Sequence, residues 1–350
     1  MSPDSVDTWV DLVSPSHPFF FKSLLNNLSS IDLTTTVREK TETVDLTKDV
    51  GFDYEVIGRD FDNTFLRKLG IPLRTAQLAV QAPTADVSLS SRNAMCILAS
   101  KARGIPSIHF TDNDITAHVD GLKYEEIYNR LEAMATHNVV PAAFETDELI
   151  KRGADPGNVH TYDGYKEDIY VADFKPNPDF VEQFPFDEYI VIRPEALNAA
   201  YVDTDHSLVP ALLERAAERN LSVVYLPRGR GDEIHADPYD KQQVYVPDGA
   251  LNGLQLAWHA KCMLTGSGTM AREAACMEKP AVSFFPNTLL SVDQKMEAEG
   301  LIFHSKDPSS ILDYIDSLAD AEISPDRSRS RAVRKEVLKL ICRLINDERA

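Results

Sequence analysis

Cysteine is scarce in this chain of 350 residues: four thiols stand far apart, at Cys96, Cys262, Cys276 and Cys342. No C-x-x-C pair occurs, which argues against a zinc ribbon or a dithiol redox centre. Cys96, Cys262 and Cys276 sit in apolar runs, and the thiols read as reduced, buried core residues. Long hydrophobic runs are missing too. No stretch approaches the roughly 20 apolar residues that a membrane helix needs, so no transmembrane segment is expected. The opening "MSPDSVDTWVDLV" carries acids where a secretory leader carries bases, which predicts a cytoplasmic protein. Positive charge is in short supply, with 36 Lys and Arg against 55 Asp and Glu and a formal net charge of −19. That balance runs against nucleic acid partners, whose backbones demand clustered cations, and against anionic membranes. The acids are dispersed from Asp4 to Asp347 and Arg outnumbers Lys, as suits a halophilic protein working in a high-salt cytoplasm.

What is present describes a globular chain long enough for two domains, 43% hydrophobic and 26% charged. Short apolar strands alternate with amphipathic helices, beginning with "TWVDLV", "IDLTTTV", "YEVIG", "ADVSLS" and "PSIHFT". The helix "AMCILASKARG" ends in a glycine stop. This alternation predicts α/β architecture with parallel pairing and doubly wound sheets. From Phe174 to Tyr189 the periodicity breaks in "FKPNPDFVEQFPFDEY", which holds three prolines and reads as a linker. The expected organisation is an N-terminal Rossmann-like domain over 1–173, a linker over 174–188 and a second Rossmann-like domain over 189–325. A closing helix over 326–350 completes it. Two such halves predict a cleft between them, with ligands beyond the carboxyl ends of the strands.

The densest signal is "MLTGSGTMAREAACMEKPAVSFFP", residues 263–286. Gly266, Ser267, Gly268 and Thr269 separate an apolar strand from a helix start. Small residues there leave backbone N–H groups uncovered at the positive end of a helix, which suits a phosphate. Glu273 lies four residues after Thr269 on the same face, about 6 Å along the axis at ~1.5 Å per residue, placed for the hydroxyls of an attached ribose. "VIRPEAL" puts Arg193 and Glu195 at another strand end, and "LPRGRGDE" offers Arg228 and Arg230 for a diphosphate. Asp248 is placed to cap the helix expected over 250–260.

In the first half, "VSPSHPFFFK" places Ser14, Ser16 and His17 past the first strand, and a His in a polar loop suits general base work. "HFTDNDITAH" clusters Asp112, Asn113, Asp114 and His118 at another strand end, as base, acid or sugar clamp. With His109 these residues lack a recognisable metal-ligand spacing, and no metal is expected. Arg92 and Asn93 in "SSRNA", and Lys166 and Glu167 in "YDGYKED", are lesser candidates.

Taken together, "DLVSPSHPFFFK", "SIHFTDND", "YDGYKE", "VIRPEA", "YLPRG" and the 263–286 stretch resemble a mostly archaeal family catalogued as domain of unknown function number 354. The similarity spans roughly residues 8–318. That family is grouped with GT-B glycosyltransferases and UDP-N-acetylglucosamine 2-epimerases. The resemblance implies a GT-B-like pair of domains facing a cleft, the second binding a nucleotide sugar, with no cofactor beyond that substrate. It further implies that Gly266 to Thr269 meet the diphosphate, that Glu273 meets the ribose, and that the last helix returns to the first domain. Where the epimerases carry "HRREN", this chain has "IRPEAL", without a His.

Three functions are consistent with this pattern. A metal-independent glycosyltransferase would use a base, His17, Asp112 or Asp114, on an acceptor that is a glycan, lipid or small molecule. A 2-epimerase or nucleotide-sugar hydrolase would rely on the carboxylates of Asp112, Asp114 and Glu195. A non-catalytic nucleotide- or glycan-binding protein would need Glu273 for nucleotide binding but no turnover from His17 or Asp112.

Overall fold

The computed structural model describes the chain apart from residues 1–4, 27, 29–30, 40, 60–63, 196–206, 250, 320–322 and 350. Met1–Tyr170 and Ala332–Ala350 form one compact unit, unit 1, and Val171–Arg331 form a second, unit 2.

Unit 1 is built on seven strands: β1 (Val6–Leu12), β2 (Ile31–Glu39), β3 (Tyr54–Arg59), β4 (Val87–Ser91), β5 (Ser107–Phe110), β6 (His137–Pro141) and β7 (Val159–Tyr162). All pair in parallel, in the order β3-β2-β1-β4-β5-β6-β7. Val10 of β1 lies between Thr35 of β2 and Leu89 of β4. The chain winds outward through β2 and β3, then returns to lay β4 beside β1, so the order reverses at the β1–β4 boundary. A buried cluster of Trp9, Leu78, Met95, Cys96 and Ala99 joins the sheet to the helices Thr64–Gln81 and Ala94–Arg103. The latter helix stops at Gly104, whose φ of +69° is the left-handed conformation that glycine tolerates.

Unit 2 repeats the scheme with β8 (Ile190–Arg193), β9 (Val223–Tyr225), β10 (Val244–Tyr245), β11 (Cys262–Thr265), β12 (Ala281–Ser283) and β13 (Phe303–His304). Their parallel order is β10-β9-β8-β11-β12-β13, which reverses between β8 and β11. Helices Val209–Glu218 and Pro308–Ser317 bury Leu212, Leu213, Ala216, Ile311, Leu312 and Ile315 against the strands. Helix Gly268–Cys276 packs on β11 and β12 through Ala271, Ala274 and Ala275, small residues that let the two come close.

Several local readings change. Thr41–Val50 is a helix that the sequence pattern does not announce, because its threonines, valines and aspartates have poor helix propensity. Thr43 and Thr47 are buried there, and the Thr47 hydroxyl donates to the Thr43 carbonyl at 2.6 Å. Asp248 is exposed and does not cap the next helix, which spans Gly253–His259. Asn252 caps it instead, accepting from the N–H groups of Leu254 and Gln255. Of the cysteines, Cys96, Cys262 and Cys276 are buried, but Cys342 is exposed. The proline-rich stretch 174–188 is tied into unit 2 by aromatic rings. Phe184 meets Tyr189 and Tyr245 edge to face, and the Arg327 guanidinium lies over the rings of both Phe174 and Trp258.

The division between units passes through the last helix, Ser328–Arg349. Its unit 1 portion buries Val333, Val337, Ile341, Leu344 and Ile345. Val333 closes on the loop after β7 so tightly that a Cβ on Gly164 would lie 2.5 Å from both of its methyl groups. Gly164→Ala is therefore expected to destabilise unit 1 by about 1–3 kcal/mol through overpacking. Chemical denaturation followed by a probe in unit 1 checks this, and an unchanged midpoint would show that the helix gives way freely.

Candidate functional site

Crevices open where strand order reverses, because the loops leaving the two central strands turn to opposite faces of the sheet. In unit 2 those loops follow β8 and β11; of the sequence-predicted residues, Arg193 ends β8, Glu195, Gly266 and Ser267 lie in the loops, and Gly268 and Thr269 open the helix that follows β11. A Cβ on Gly266 would lie 2.6 Å from both the backbone nitrogen and Cα of Glu195, so only glycine fits this approach. The Gly266 N–H donates to the Arg193 carbonyl at 3.0 Å, continuing the ladder one residue past β11. Ser267 is the extended N-cap of helix Gly268–Cys276, but its side chain makes no cap bond. Its hydroxyl instead shares a hydrogen with the Thr265 hydroxyl at 3.1 Å. The Arg272 guanidinium packs against Gly268, where a Cβ would clash with it, and Arg272 pairs with Asp293 at 3.0 Å. Thr269 is half-buried on the first turn, and Glu273 is buried one turn later. Its Oε2 lies 3.5 Å from where a Cβ on Gly253 would stand, at the start of the neighbouring helix.

Arg193 is half-buried at the end of β8. Arg228, after β9, is exposed, and its Nε donates to the Pro194 carbonyl at 2.9 Å, drawing it toward the β8 loop. Glu195 takes a different role from the one expected. Its carboxylate accepts from the Ser207 hydroxyl at 2.7 Å and the Leu208 N–H at 2.8 Å, so it anchors the entry to helix Val209–Glu218. The Arg230 side chain and residues 196–197 of "VIRPEAL" lie outside the described residues.

In unit 1 the corresponding loops follow β1 and β4, and the centre of this site is a residue that the sequence does not single out. Asp11 is fully buried near the end of β1. Its carboxylate accepts two hydrogen bonds from the Arg74 fork at 2.7 and 2.8 Å, one from Asn93 at 2.7 Å and one from Thr36 at 2.6 Å. Trp9 Nε1 extends the network to Thr36. An acid inside the apolar run "WVDLV" is the available signal, but Arg74 stands 63 positions away and only the fold names it.

His17 does not lie in an open polar loop. It is the first residue of helix His17–Leu25 and is buried, with Nδ1 accepting the Val13 N–H at 3.3 Å. Burial, reinforced by the nearby Lys166 and His109 and only partly offset by Asp112, lowers its pKa from 6.5 to about 3. Asp112 is buried after β5 and pairs with Lys166 at 3.0 Å. Asp114 is fully buried too, and accepts the Glu145 N–H at 3.0 Å. Asn113 accepts from the Ile115 N–H, and His118 approaches Asp114 at 3.8 Å. The structure thus gathers His17, Asp112 and Lys166 at one place and turns Asp114 toward the loop that carries Glu145. Glu167 is buried on the helix Lys166–Val171.

Beside them runs a buried polar chain. Ser90 meets His109 Nδ1 at 2.8 Å, His109 Nε2 meets Glu132 at 3.3 Å, and Arg92 meets Glu132 at 2.6 Å and also Glu125. Burial alone would raise the Glu132 pKa, but Arg92 and His109 hold it lowered. Arg92 has a left-handed φ of +42°, a strained geometry that the Glu132, Asn129 and Tyr128 contacts maintain. Asn93 accepts the Cys96 N–H and so caps its helix while bonding Asp11. Among the described residues, no group of three or more His, Cys, Asp or Glu is arranged to hold a metal ion.

Two outcomes follow from unit 1. Asp11→Ala strands the buried Arg74 charge and is expected to cost about 3–5 kcal/mol in urea unfolding. His17 binds a proton below pH 6.5 when unfolded but not when folded, so stability falls as pH drops from 6.5 toward 3. That one group contributes a slope of up to about 1.4 kcal/mol per pH unit, and His17→Gln should flatten the curve by this amount. Denaturation midpoints of wild type and variant at pH 7, 6 and 5 provide the check; parallel curves would contradict it.

The uncharacterised protein MJ0665 of Methanocaldococcus jannaschii is 24% identical over 329 residues, covering 89% of this chain and 91% of that protein. The UDP-GlcNAc 2-epimerase of the same organism, solved in complex with UDP-GlcNAc and UDP, matches with a TM-score of 0.68 at 12% identity, over 96% of this chain and 99% of that one. The glycotransferase of kitacinnamycin matches with a TM-score of 0.57 at 14% identity, over 99% and 100%. The chain therefore has the GT-B-like, two-domain Rossmann-type fold. With the family's sequence model matched across residues 6–346, it belongs to the family described as Protein of unknown function (DUF354).

Proposed function

We propose that this protein is an enzyme of nucleotide-sugar chemistry, and within that class a glycosyltransferase that uses a nucleotide-diphosphate sugar without a metal ion. The observation that carries the reading is the turn Gly266–Gly268 at the reversal point of unit 2, which runs into a nine-residue helix with Glu273 buried on it. First-turn N–H groups of that helix, with Thr269, Arg193 and Arg228, bind the donor diphosphate and stabilise it as it leaves. Glu273 accepts from the ribose hydroxyls. Unit 1 holds the acceptor. There Asp112 takes the proton of the acceptor hydroxyl as that oxygen attacks the anomeric carbon, and Lys166, 3.0 Å away, holds its carboxylate in position. Asp114 positions the Glu145 loop and takes no part in proton transfer.

A second reading, a 2-epimerase or hydrolase acting on the same donor, draws support from the epimerase of Methanocaldococcus jannaschii, whose TM-score of 0.68 exceeds the 0.57 of the glycotransferase. That epimerase was solved with UDP-GlcNAc and UDP, so these are the first ligands to try. Glu195 contributes little on this route, since Ser207 and Leu208 occupy its carboxylate.

The test is a thermal-shift panel of nucleoside diphosphates and their sugars, at low salt and at molar KCl. A true donor at 100 times its Kd adds about 2.7 kcal/mol. Glu273→Gln is expected to weaken that binding about tenfold, the ~1.4 kcal/mol of a lost charge-assisted hydrogen bond. No stabilisation by any member would overturn both readings. Incubation with UDP-GlcNAc alone separates them, because epimerised or eliminated sugar in the absence of acceptor supports the second.

A further inference from the structure

His17 was expected from the sequence to be a general base, but the geometry around its ring points elsewhere. Nδ1 is occupied by the Val13 N–H at 3.3 Å, and the ring stands edge-on to Phe21 with centroids 6.2 Å apart. An imidazole whose Nδ1 lone pair accepts from the backbone carries its proton on Nε2. To act as a base it would have to release Val13 and pick up a proton on Nδ1, which faces its own chain rather than a substrate. The charged and titratable groups around it are Lys166, His109, Asp112 and Arg38. Asp112, the acid among them, is matched by Lys166 at 3.0 Å, and the ring also sits at the positive end of helix His17–Leu25. Nothing in that shell pays for an imidazolium.

We infer that His17 is a tautomer-fixed, neutral hydrogen-bond donor, presenting Nε2–H to an oxygen of the substrate held by unit 1 and gaining no proton in the reaction. The inference rests on the nucleotide-sugar reading only for the identity of that oxygen, a hydroxyl of the acceptor or of the transferred sugar. The tautomer itself does not depend on it. Proton transfer is left to Asp112, so donor and base are separate residues of one cluster.

Long-range 1H–15N spectra of 15N-histidine-labelled protein test the first half, with His17→Gln identifying the His17 signals. An unprotonated Nδ1 and protonated Nε2, unchanged from pH 5 to pH 9, are expected. A signal that titrates in this range, or a protonated Nδ1, would overturn the inference. UDP release from UDP-GlcNAc tests the second half. His17→Gln keeps an N–H donor of altered reach, so turnover is expected to fall by about tenfold, one misplaced hydrogen bond, while the acidic limb of the pH profile stays in place. Loss of that limb in His17→Gln would show that His17 does titrate. Absence of turnover by wild type without an acceptor would count against the epimerase or hydrolase reading, and the spectra would still decide the state of His17.

Discussion

Parallel pairing is the constraint from which the rest follows. A strand can join a parallel neighbour only through a crossover, so every loop at one edge of each sheet leads out of a strand's carboxyl end and into a helix. Winding outward in both directions from a central pair leaves one place where neighbouring loops part. In unit 1 that place lies between β1 and β4, and in unit 2 between β8 and β11. Asp11, Asn93 and His17 collect at the first, and Gly266, Ser267 and Glu195 at the second. These residues gather there because the topology brings the loops that carry them to the two reversal points.

At both places the interior carries charge, and the charge is matched. Asp11 holds Arg74, Asp112 holds Lys166, Glu132 holds Arg92 and Asp293 holds Arg272, all substantially withdrawn from solvent. Such pairs add little net stability, because desolvation consumes much of the Coulombic gain, but breaking one leaves an uncompensated ion. Their value lies in fixing positions. A chain with a net charge of −19 keeps several of its scarce cations inside, bound to particular acids, rather than spreading them as a surface coat. The acidic exterior and the paired interior are separate arrangements of the same residue types.

The fold was largely legible because alternation of short apolar runs with helical periods leaves little choice but parallel sheets. The 263–286 stretch was equally plain, since consecutive small residues between a strand and a helix mark a turn whose backbone is left bare. What stayed hidden depended on distance along the chain. Asp11 reads as an oddity in a strand until Arg74 is brought to it. Glu195 looks like a cleft carboxylate until Ser207 and Leu208 close on it. Asp248 satisfies the composition rule for a cap, but Asn252 has the right register for the job. His17 shows the sharpest contrast: its residue type suggests a proton acceptor, whereas burial lowers its affinity for a proton and Val13 occupies its Nδ1. The helix Thr41–Val50 was missed for a plainer reason, that tertiary packing overrides weak propensity.

The last helix has a bearing on how the protein is made. Unit 1 draws on both the beginning of the chain and Ala332–Ala350, with all of unit 2 lying between them in sequence. On a ribosome its seven strands emerge early, but the groove that takes Val333, Val337 and Ile341 stays unfilled until unit 2 has been synthesised. The half that appears first is thus the last to be finished, and a chain stalled in its final helix would release a finished unit 2 joined to an incomplete partner.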